Sequence, residues 1–346
     1  MRAAVLEKIE ELKFVDIARP LAGKGEILIK VEFCAICGTD IKIYHHGHRL
    51  IKFPRVTGHE ISGVIESVGD GVKGYKKGDR VAVAPAVPCG ECYYCLHGLQ
   101  GMCDNLTAIG YQYDGGFQEY MAVPEVAVRN GCVNIITEGV SFEEASIAEP
   151  LACCINGQEL SGVKLGDVVV VIGSGPIGSF HIELARAKGA SKTVMAEISE
   201  ERLKIAKEVS RPDVLINPAK EDMVKQIMSL TNGRGADVVI VACSSGKAQE
   251  DALKLVAKRG NVNFFGGLPK DKPCIQFDSN LIHYREFYVV GTHGSSPRHN
   301  QMALGLIANK KVSAGRYITD RLPLNKLLDG IKMVENAQGL KIIIKP

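Results

Sequence analysis

The pattern of hydrophobic positions changes near residue 150. Before that point, short alternating or β-branched runs are separated by turns rich in glycine and proline, a pattern typical of an antiparallel, barrel-like domain. After it, fully apolar runs alternate with amphipathic stretches, which predicts a parallel, doubly wound sheet with helices on its faces. The sequence therefore predicts an α/β protein with a second, mostly antiparallel β domain.

Individual elements follow from the same pattern. In the first region, strands are predicted at residues 27–33, 60–68, 79–83 and 117–123. In the second region, the predicted strands are 168–172, 193–198, 238–241 and 261–265, and the predicted helices are 177–188, 200–209 and 248–257. The C-terminal part adds helices near 301–309 and 324–334 and a strand at 341–344.

Four cysteines follow the spacing Cys-x2-Cys-x2-Cys-x7-Cys, at Cys89, Cys92, Cys95 and Cys103. Glycines and a proline interrupt the run, so residues 88–104 are expected to form a loop that folds back and gathers four thiolates. A closed shell of this kind is typical of structural zinc. A disulfide cluster and an iron–sulfur cluster are the alternatives, although neither common iron–sulfur cysteine spacing matches.

Composition and charge exclude several classes of function. The chain has 346 residues, of which 46% are hydrophobic and 23% charged, as in an ordinary globular protein with room for two domains. The net charge of +3 is small and spread along the chain, so neither nucleic acid nor a membrane is expected as a partner. Eleven cysteines without a secretion signal pattern favour a reducing compartment. We expect a cytoplasmic protein.

A glycine motif follows the apolar run 168–172. It reads Gly173-Ser174-Gly175-Pro176-Ile177-Gly178 and opens a predicted helix. In this context the glycines let backbone N–H groups approach a pyrophosphate at the positive end of the helix.

An acidic residue, Glu197, stands about 20 residues further on, at the end of the next predicted strand. A carboxylate there accepts hydrogen bonds from ribose hydroxyls and repels a 2′-phosphate, which favours NAD over NADP. Arg202 is a candidate for contact with the adenine face, and a solvated helix residue is the alternative.

Three further residues suggest an open metal site. Cys37 follows a predicted strand, and His59 and Glu60 begin another. A thiolate, an imidazole and a carboxylate make three protein ligands and leave a fourth position for substrate, as catalytic zinc requires. Taken singly, each residue could instead be a buried cysteine, a turn histidine or a strand-end glutamate.

These motifs together resemble a known family. Cys37-Gly38-Thr39-Asp40, Gly58-His59-Glu60-x-x-Gly63, the four-cysteine loop, Glu149-Pro150 and the glycine motif occur in the order seen in zinc-dependent medium-chain dehydrogenases. The resemblance covers essentially the whole chain. Within the superfamily, the stretch Ala148-Glu149-Pro150-Leu151-Ala152-Cys153-Cys154 resembles the polyol branch (sorbitol, arabitol-phosphate and galactitol-phosphate dehydrogenases) more than the threonine dehydrogenases.

The resemblance implies a domain organisation and an assembly. A GroES-like catalytic domain is expected from residues 1–152 and 291–346, with a Rossmann NAD-binding domain at residues 153–290 between them. Two zinc ions per chain are implied, one structural and one catalytic. A homotetramer or a homodimer is the implied assembly.

The resemblance also implies roles for site residues. Cys37, His59 and Glu60 are expected to bind the catalytic zinc, with Glu149 as a fourth or exchanging ligand. Thr39 is expected to hydrogen-bond the substrate oxygen and to pass its proton outward. The implied reaction transfers a hydride from a secondary alcohol of a polyol, sugar or sugar-alcohol phosphate to NAD⁺ and gives a ketone.

Two departures from the family pattern leave the substrate open. Lys42 stands where many relatives carry a histidine five residues after the zinc cysteine, and Gly294-Ser295 stands where sorbitol dehydrogenases carry an Arg-Tyr pair. The basic segment 42–49 is either a cationic patch for a sugar phosphate or a solvated loop. An L-threonine 3-dehydrogenase is the alternative enzyme. A non-catalytic NAD(H)-binding relative is the other alternative, and the complete ligand set argues against it.

Overall fold

Two units make up the chain in the computed structural model, which describes residues 1–346. The first unit consists of Met1–Ala152 and Gly294–Pro346, and the second of Cys153–His293. No helix combines the length and the apolar character needed to cross a bilayer.

The first unit is built mainly from short strands. Its strands are β1 (Arg2–Lys8), β2 (Glu11–Asp16), β3 (Ile27–Ala35), β4 (Arg55–Val56), β5 (Glu60–Val68), β6 (Arg80–Val83), β7 (Ala86–Val87), β8 (Thr107–Ala108), β9 (Tyr120–Val123), β10 (Val133–Ile135), β17 (Ile318–Pro323) and β18 (Lys341–Lys345). Its helices are α1 (Gly38–His46), α2 (Tyr93–Leu96), α3 (Glu125–Arg129), α4 (Phe142–Ser146), α11 (Pro297–Ala308) and α12 (Leu327–Glu335), with 3-10 turns at Gln100–Met102, Ala314–Tyr317 and Leu324–Lys326. Helix α5 (Ala148–Leu160) carries the chain into the second unit.

Strand β3 is the centre of the main sheet in the first unit. The strands follow the order β10-β6-β5-β3-β18-β17, and β9 also pairs with β3. All these pairs are antiparallel except β17 with β18. The last strand of the chain therefore lies beside one of the first, and both contribute to one buried apolar core that includes Ile27, Ile29 and Ile342.

The second unit alternates strands and helices. Its strands are β11 (Val168–Ile172), β12 (Lys192–Ala196), β13 (Val214–Ile216), β14 (Ala236–Val241), β15 (Val256–Phe264) and β16 (Tyr288–Gly291). Its helices are α6 (Pro176–Ala187), α7 (Glu200–Val209), α8 (Met223–Leu230), α9 (Gly246–Leu255) and α10 (Asn280–Arg285).

The sheet of the second unit is entirely parallel, with the order β13-β12-β11-β14-β15-β16. Alternate residues of β11 enter two separate cores, Val168 and Val170 on one face and Val169 and Val171 on the other. Burial on both faces explains why this strand is a continuous apolar run. The strand order reverses between β11 and β14, which is where open α/β sheets bind their ligands.

The predicted fold class is confirmed, since the chain combines a parallel doubly wound sheet with a mostly antiparallel one. Some element boundaries were wrong. The strand predicted at 117–123 begins only at Tyr120, and the helix predicted at 248–257 ends at Leu255 because Val256 already pairs with Ala236 in the sheet.

The basic segment 42–49, for which a solvated loop was one of two interpretations, is helical over most of its length. Residues 38–46 form helix α1, which the side chain of Asp40 caps by accepting a hydrogen bond from the backbone N–H of Cys37. Gly47, with a φ of 65°, ends the helix.

Candidate metal centres and nucleotide-binding loop

The end of β3 and the start of β5 bring Cys37, His59 and Glu60 together. Ala35 pairs with Glu60 in the antiparallel register, so the residues just after β3 meet those just before β5. At Gly58, which has a φ of 92°, a Cβ would lie 2.7 Å from a buried sulfur atom, so only glycine suits this turn. One ligand atom from each of Cys37, His59 and Glu60 lies within 4.8 Å of the other two.

A buried lysine that the sequence analysis missed, Lys341, joins this cluster. Ile343 of β18 pairs with Ala35, so Lys341 lies beside the turn that follows β3. Its Nζ donates to Glu60 Oε1 at 2.6 Å and to the carbonyl oxygen of Ile36 at 3.1 Å. The side chains of Lys341 and Glu60 are only 4% and 0% exposed. In the sequence, a lysine at the start of the otherwise apolar strand 341–344 could have indicated a buried charge at this position.

The pKa of Glu60 reflects this enclosure. Burial raises it to about 7, although the ammonium of Lys341 acts in the opposite direction. Burial also disfavours the charged form of Lys341, but the nearby Glu60 carboxylate raises the pKa of Lys341 above its usual value. Each group therefore stabilises the charge of the other inside the protein.

Acidic groups surround His59. Asp40 Oδ1 lies 3.7 Å from His59 Nδ1, and neither buried atom has a hydrogen-bond partner. Burial disfavours protonation of His59, but the charges of Asp40, Cys37 and Glu149 together raise its pKa well above the usual value. A divalent cation would balance this excess of negative charge. The thiolate, imidazole and carboxylate set fits zinc, with Asp40 near enough to orient the imidazole from behind.

Glu149 and Thr39 lie near the cluster. Glu149 is half-buried in the first turn of α5, and its charge affects the pKa values of His59 and Glu60. It is not one of the three residues whose ligand atoms lie within 4.8 Å of one another. Thr39 is half-buried in the first turn of α1, two residues after Cys37. Their catalytic roles stay predictions.

Tyr111 is a second residue that the sequence analysis missed. Its ring centroid lies 5.9 Å from that of His59 and 5.1 Å from that of His48. The Tyr111 ring therefore lies between His48 of the basic segment 42–49 and His59 of the metal cluster. His45 faces elsewhere, because its Nδ1 lies 2.8 Å from Glu10 Oε1 and its Nε2 lies 3.4 Å from Glu335 Oε1.

The four-cysteine loop gathers its thiols at one point. The sulfur atoms of Cys89, Cys92, Cys95 and Cys103 all lie within 4.8 Å of one another, and no disulfide forms. Zn–S bonds of about 2.3 Å imply sulfur separations of about 3.8 Å in a tetrahedron, and those of Cys89 and Cys95 are 4.0 Å apart. Backbone N–H groups, that of Cys95 foremost, lower the pKa of the Cys92 thiol to about 6. The donor set and spacing fit a closed zinc site.

The loop has almost no apolar core of its own. Its large apolar side chains Tyr93, Leu96, Leu99 and Met102 are each between 49% and 72% exposed. A metal ion bound by the four thiols would therefore supply order that an apolar core does not.

The glycine motif forms the turn between β11 and α6. Gly173 has a φ of 105°, and a Cβ at Gly178 would lie 1.8 Å from the carbonyl oxygen of Gly173, so the helix can approach the strand only with glycine there. Gly175 begins α6, and a Cβ at that position would meet no atom within 4 Å. Pro176 occupies the first turn. The open backbone at the helix start fits a pyrophosphate.

Glu197 lies at the end of β12 and holds the glycine turn. Its Oε2 accepts hydrogen bonds from the backbone N–H and the hydroxyl of Ser174, both at 3.0 Å. Its Oε1 accepts from the backbone N–H groups of Ile198 and Ser199 at 2.9 and 3.1 Å. Arg202 is half-buried in the first turn of α7, and its contact with adenine stays a prediction.

Comparisons with known proteins show the family to which the chain belongs. Residues 23–132 match the alcohol dehydrogenase GroES-like domain, and residues 176–309 match the zinc-binding dehydrogenase family. A sorbitol dehydrogenase of Halalkalibacterium halodurans is 32% identical over 94% of this chain and 93% of its own length. The chain belongs to the zinc-dependent medium-chain dehydrogenases.

Other members of this family are similar to the chain. An L-threonine 3-dehydrogenase of Pyrococcus furiosus is 38% identical over 82% of this chain and 79% of its own. A D-arabitol-phosphate dehydrogenase of Enterococcus avium is 31% identical over 97% of this chain and 94% of its own length. The crystal structure of a zinc-binding dehydrogenase from Sinorhizobium meliloti 1021 bound to NADP covers 100% of this chain and 99% of its own, with a TM-score of 0.92 and 30% identity. The predicted family and the assignment as an oxidoreductase are confirmed.

We expect removal of one thiolate to unfold the four-cysteine loop of this medium-chain dehydrogenase locally. In Cys95→Ser, zinc content should fall by one ion per chain, and amide hydrogens in residues 88–104 should lose protection, because zinc binding supplies on the order of 10–16 kcal/mol in small zinc peptides. Elemental analysis and hydrogen exchange measure both effects. Cys274→Ser, at an exposed cysteine outside both clusters, is the control. Unchanged protection in Cys95→Ser would contradict a structural zinc.

We expect Lys341→Met to destabilise the first unit strongly. Removing one partner of a buried ion pair leaves the other charge uncompensated, which costs about 3–5 kcal/mol. Urea unfolding measures the change, and Lys345→Met, at the exposed end of the same strand, is the matched control. Glu60→Gln added to Lys341→Met should recover part of the loss. Equal stability of the Lys341 and Lys345 variants would show that the pair does not support the fold.

Proposed function

We propose that the protein oxidises a secondary alcohol of a polyol, sugar or sugar-alcohol phosphate with NAD⁺, giving a ketone, NADH and a proton. The observation that carries the proposal is the cluster of Cys37, His59 and Glu60, with ligand atoms within 4.8 Å of one another, in a chain of the zinc-dependent medium-chain dehydrogenases. The names of the sorbitol and arabitol-phosphate dehydrogenase relatives support the polyol class.

Cys37, His59 and Glu60 would hold the catalytic zinc, and Glu149 would be a fourth or exchanging ligand. Zinc bound there supplies Lewis acidity that lowers the pKa of an alcohol oxygen. Thr39, two residues after Cys37, would accept a hydrogen bond from the substrate hydroxyl and move its proton outward. Lys341 favours the ionised form of Glu60 by pairing with it, and it also competes with a metal for that carboxylate.

For the cofactor we propose NAD rather than NADP. Gly173, Gly175, Pro176, Ile177 and Gly178 would bind the pyrophosphate. Support for NAD comes from Glu197, whose carboxylate would face the adenosine ribose and repel a 2′-phosphate. Arg202 would lie against the adenine. We also propose that Gly173–Gly178 and Glu197 act within a Rossmann NAD-binding domain, and that the first unit is the GroES-like catalytic domain.

The choice between free and phosphorylated substrates rests on the basic segment 42–49. Lys42, His46, His48 and Arg49 are exposed, whereas His45 contacts Glu10 and Glu335. Four exposed basic side chains in one segment, of which His48 lies against the Tyr111 ring, would suit a phosphate group. The second candidate is L-threonine oxidation, favoured by 38% identity to a threonine dehydrogenase.

Nicotinamide absorbance in assays with matched free and phosphorylated polyols, and with L-threonine, tests the proposed substrates. We expect turnover with NAD⁺ and a preference for phosphorylated polyols. Lys42→Gln with Arg49→Gln should raise KM for phosphates roughly tenfold, equivalent to about 1.4 kcal/mol of lost phosphate binding, and should leave KM for free polyols unchanged. Lys73→Gln, at an exposed lysine elsewhere in the first unit, is the control. Turnover of threonine alone would favour the second candidate.

We further propose a cytoplasmic homo-oligomer, at least a dimer. Strand β16 is an edge strand of the parallel sheet. Its residues Tyr288 and Val289 are 55% and 39% exposed. An open edge with apolar side chains can pair with the same edge of a second copy through a two-fold axis. The cytoplasmic assignment rests on the eleven cysteines of the chain, a content that favours a reducing compartment.

Light scattering coupled to size exclusion measures this assembly. We expect the mass of Val289→Lys to be half that of the unmodified protein, because a charged side chain on an edge strand opposes pairing. Leu165→Lys, at a side chain that is 83% exposed in the second unit, should keep the original mass. A monomeric unmodified protein would contradict the proposal.

A further inference from the structure

Protein donors already occupy all the hydrogen-bonding capacity of Glu197. A carboxylate offers about four acceptor positions. Here two are taken by the N–H groups of Ile198 and Ser199, and two by the N–H and the hydroxyl of Ser174. Glu197 is only 9% exposed. A ribose hydroxyl that donates to this carboxylate must therefore displace one of the four donors.

Only one of the four donors can move without a change in the backbone. Three are main-chain N–H groups, and the glycine turn that carries the N–H of Ser174 is tightly fitted, since a Cβ at Gly178 would lie 1.8 Å from the carbonyl oxygen of Gly173. The hydroxyl of Ser174 can leave Glu197 by rotation about a single side-chain torsion. It is therefore the donor that a ligand can replace.

We propose that the Ser174 hydroxyl holds the acceptor position on Glu197 that a ribose hydroxyl of NAD takes, so that NAD binds in competition with Ser174. This inference rests on the proposed preference for NAD. In the protein without nucleotide, the Ser174 hydroxyl fills the fourth acceptor position of a buried carboxylate whose other three donors are main-chain N–H groups. The same hydrogen bond must break when NAD binds, so Ser174 lowers the affinity for NAD and stabilises the empty turn.

Competition between Ser174 and NAD predicts that removal of the Ser174 hydroxyl lowers the Kd for NAD⁺. In Ser174→Ala the fourth acceptor position is vacant, so the Kd for NAD⁺ should fall by about three- to tenfold, the effect of one modest hydrogen bond. The Kd for NADP⁺ should change less than the Kd for NAD⁺, because the 2′-phosphate cannot donate to the carboxylate and only the 3′-hydroxyl of that ribose remains as a donor. Isothermal titration of the full chain with each nucleotide, in the absence of substrate, measures both constants.

Two variants separate competition from general effects on the turn. Ser174→Thr keeps the hydroxyl and should bind NAD⁺ within about twofold of the unmodified protein. Ser179→Ala removes a buried hydroxyl from the same helix, 3.5 Å from the carbonyl oxygen of Ser174, and should leave both Kd values unchanged. Ser174→Gly removes the hydroxyl with a smaller side chain and should repeat the alanine result if the alanine variant is poorly folded.

Different results would contradict the competition at Ser174 and the proposed preference for NAD over NADP. Unchanged NAD⁺ binding in Ser174→Ala would overturn competition. Weaker binding in Ser174→Ala, with normal binding in Ser174→Thr, would also overturn it and make Ser174 a residue that orients Glu197. Tighter binding of NADP⁺ than of NAD⁺ by the unmodified protein would contradict the proposed NAD preference itself, and the competition with it.

Discussion

The ion pair of Glu60 with Lys341 is the interaction on which the candidate catalytic centre depends. Both side chains are almost fully buried, and neither charge could stay in that environment without the other. The pair exists only where strands β3, β5 and β18 meet, because β3 pairs with both of the other strands. The C-terminal strand therefore helps to assemble a candidate metal cluster whose three residues, Cys37, His59 and Glu60, all lie in the first 60 positions.

The two candidate metal clusters are assembled by different means. The four-cysteine loop draws its ligands from residues 89–103, so short-range turns bring the sulfur atoms together and a metal ion can take the place of an apolar core. Cys37, His59 and Glu60 are brought together by strand register instead. The first cluster can order a loop, and the second is already held in place by a rigid sheet.

The candidate nucleotide site of the second unit combines exposed backbone at the start of α6 with the buried carboxylate of Glu197. The close approach of Gly178 to Gly173 brings the start of α6 onto the end of β11. Glu197 then ties β12 to the same turn through Ser174. The hydrogen bonds that hold the turn without nucleotide involve the carboxylate that NAD would use, so order of the turn and affinity for NAD oppose each other.

The sequence by itself determined whatever depends on near neighbours: the parallel sheet from continuous apolar strands, the thiol loop from its spacing, and the nucleotide turn from glycines between a strand and a helix. It also identified Cys37, His59 and Glu60, though only as a set. Lys341 and Tyr111 emerged from the tertiary structure alone, and so did the pairing of His45 with two glutamates. Hydrophobic periodicity records burial and turns, whereas strand register decides which distant side chains face each other, because a shift of one residue reverses the face of every side chain.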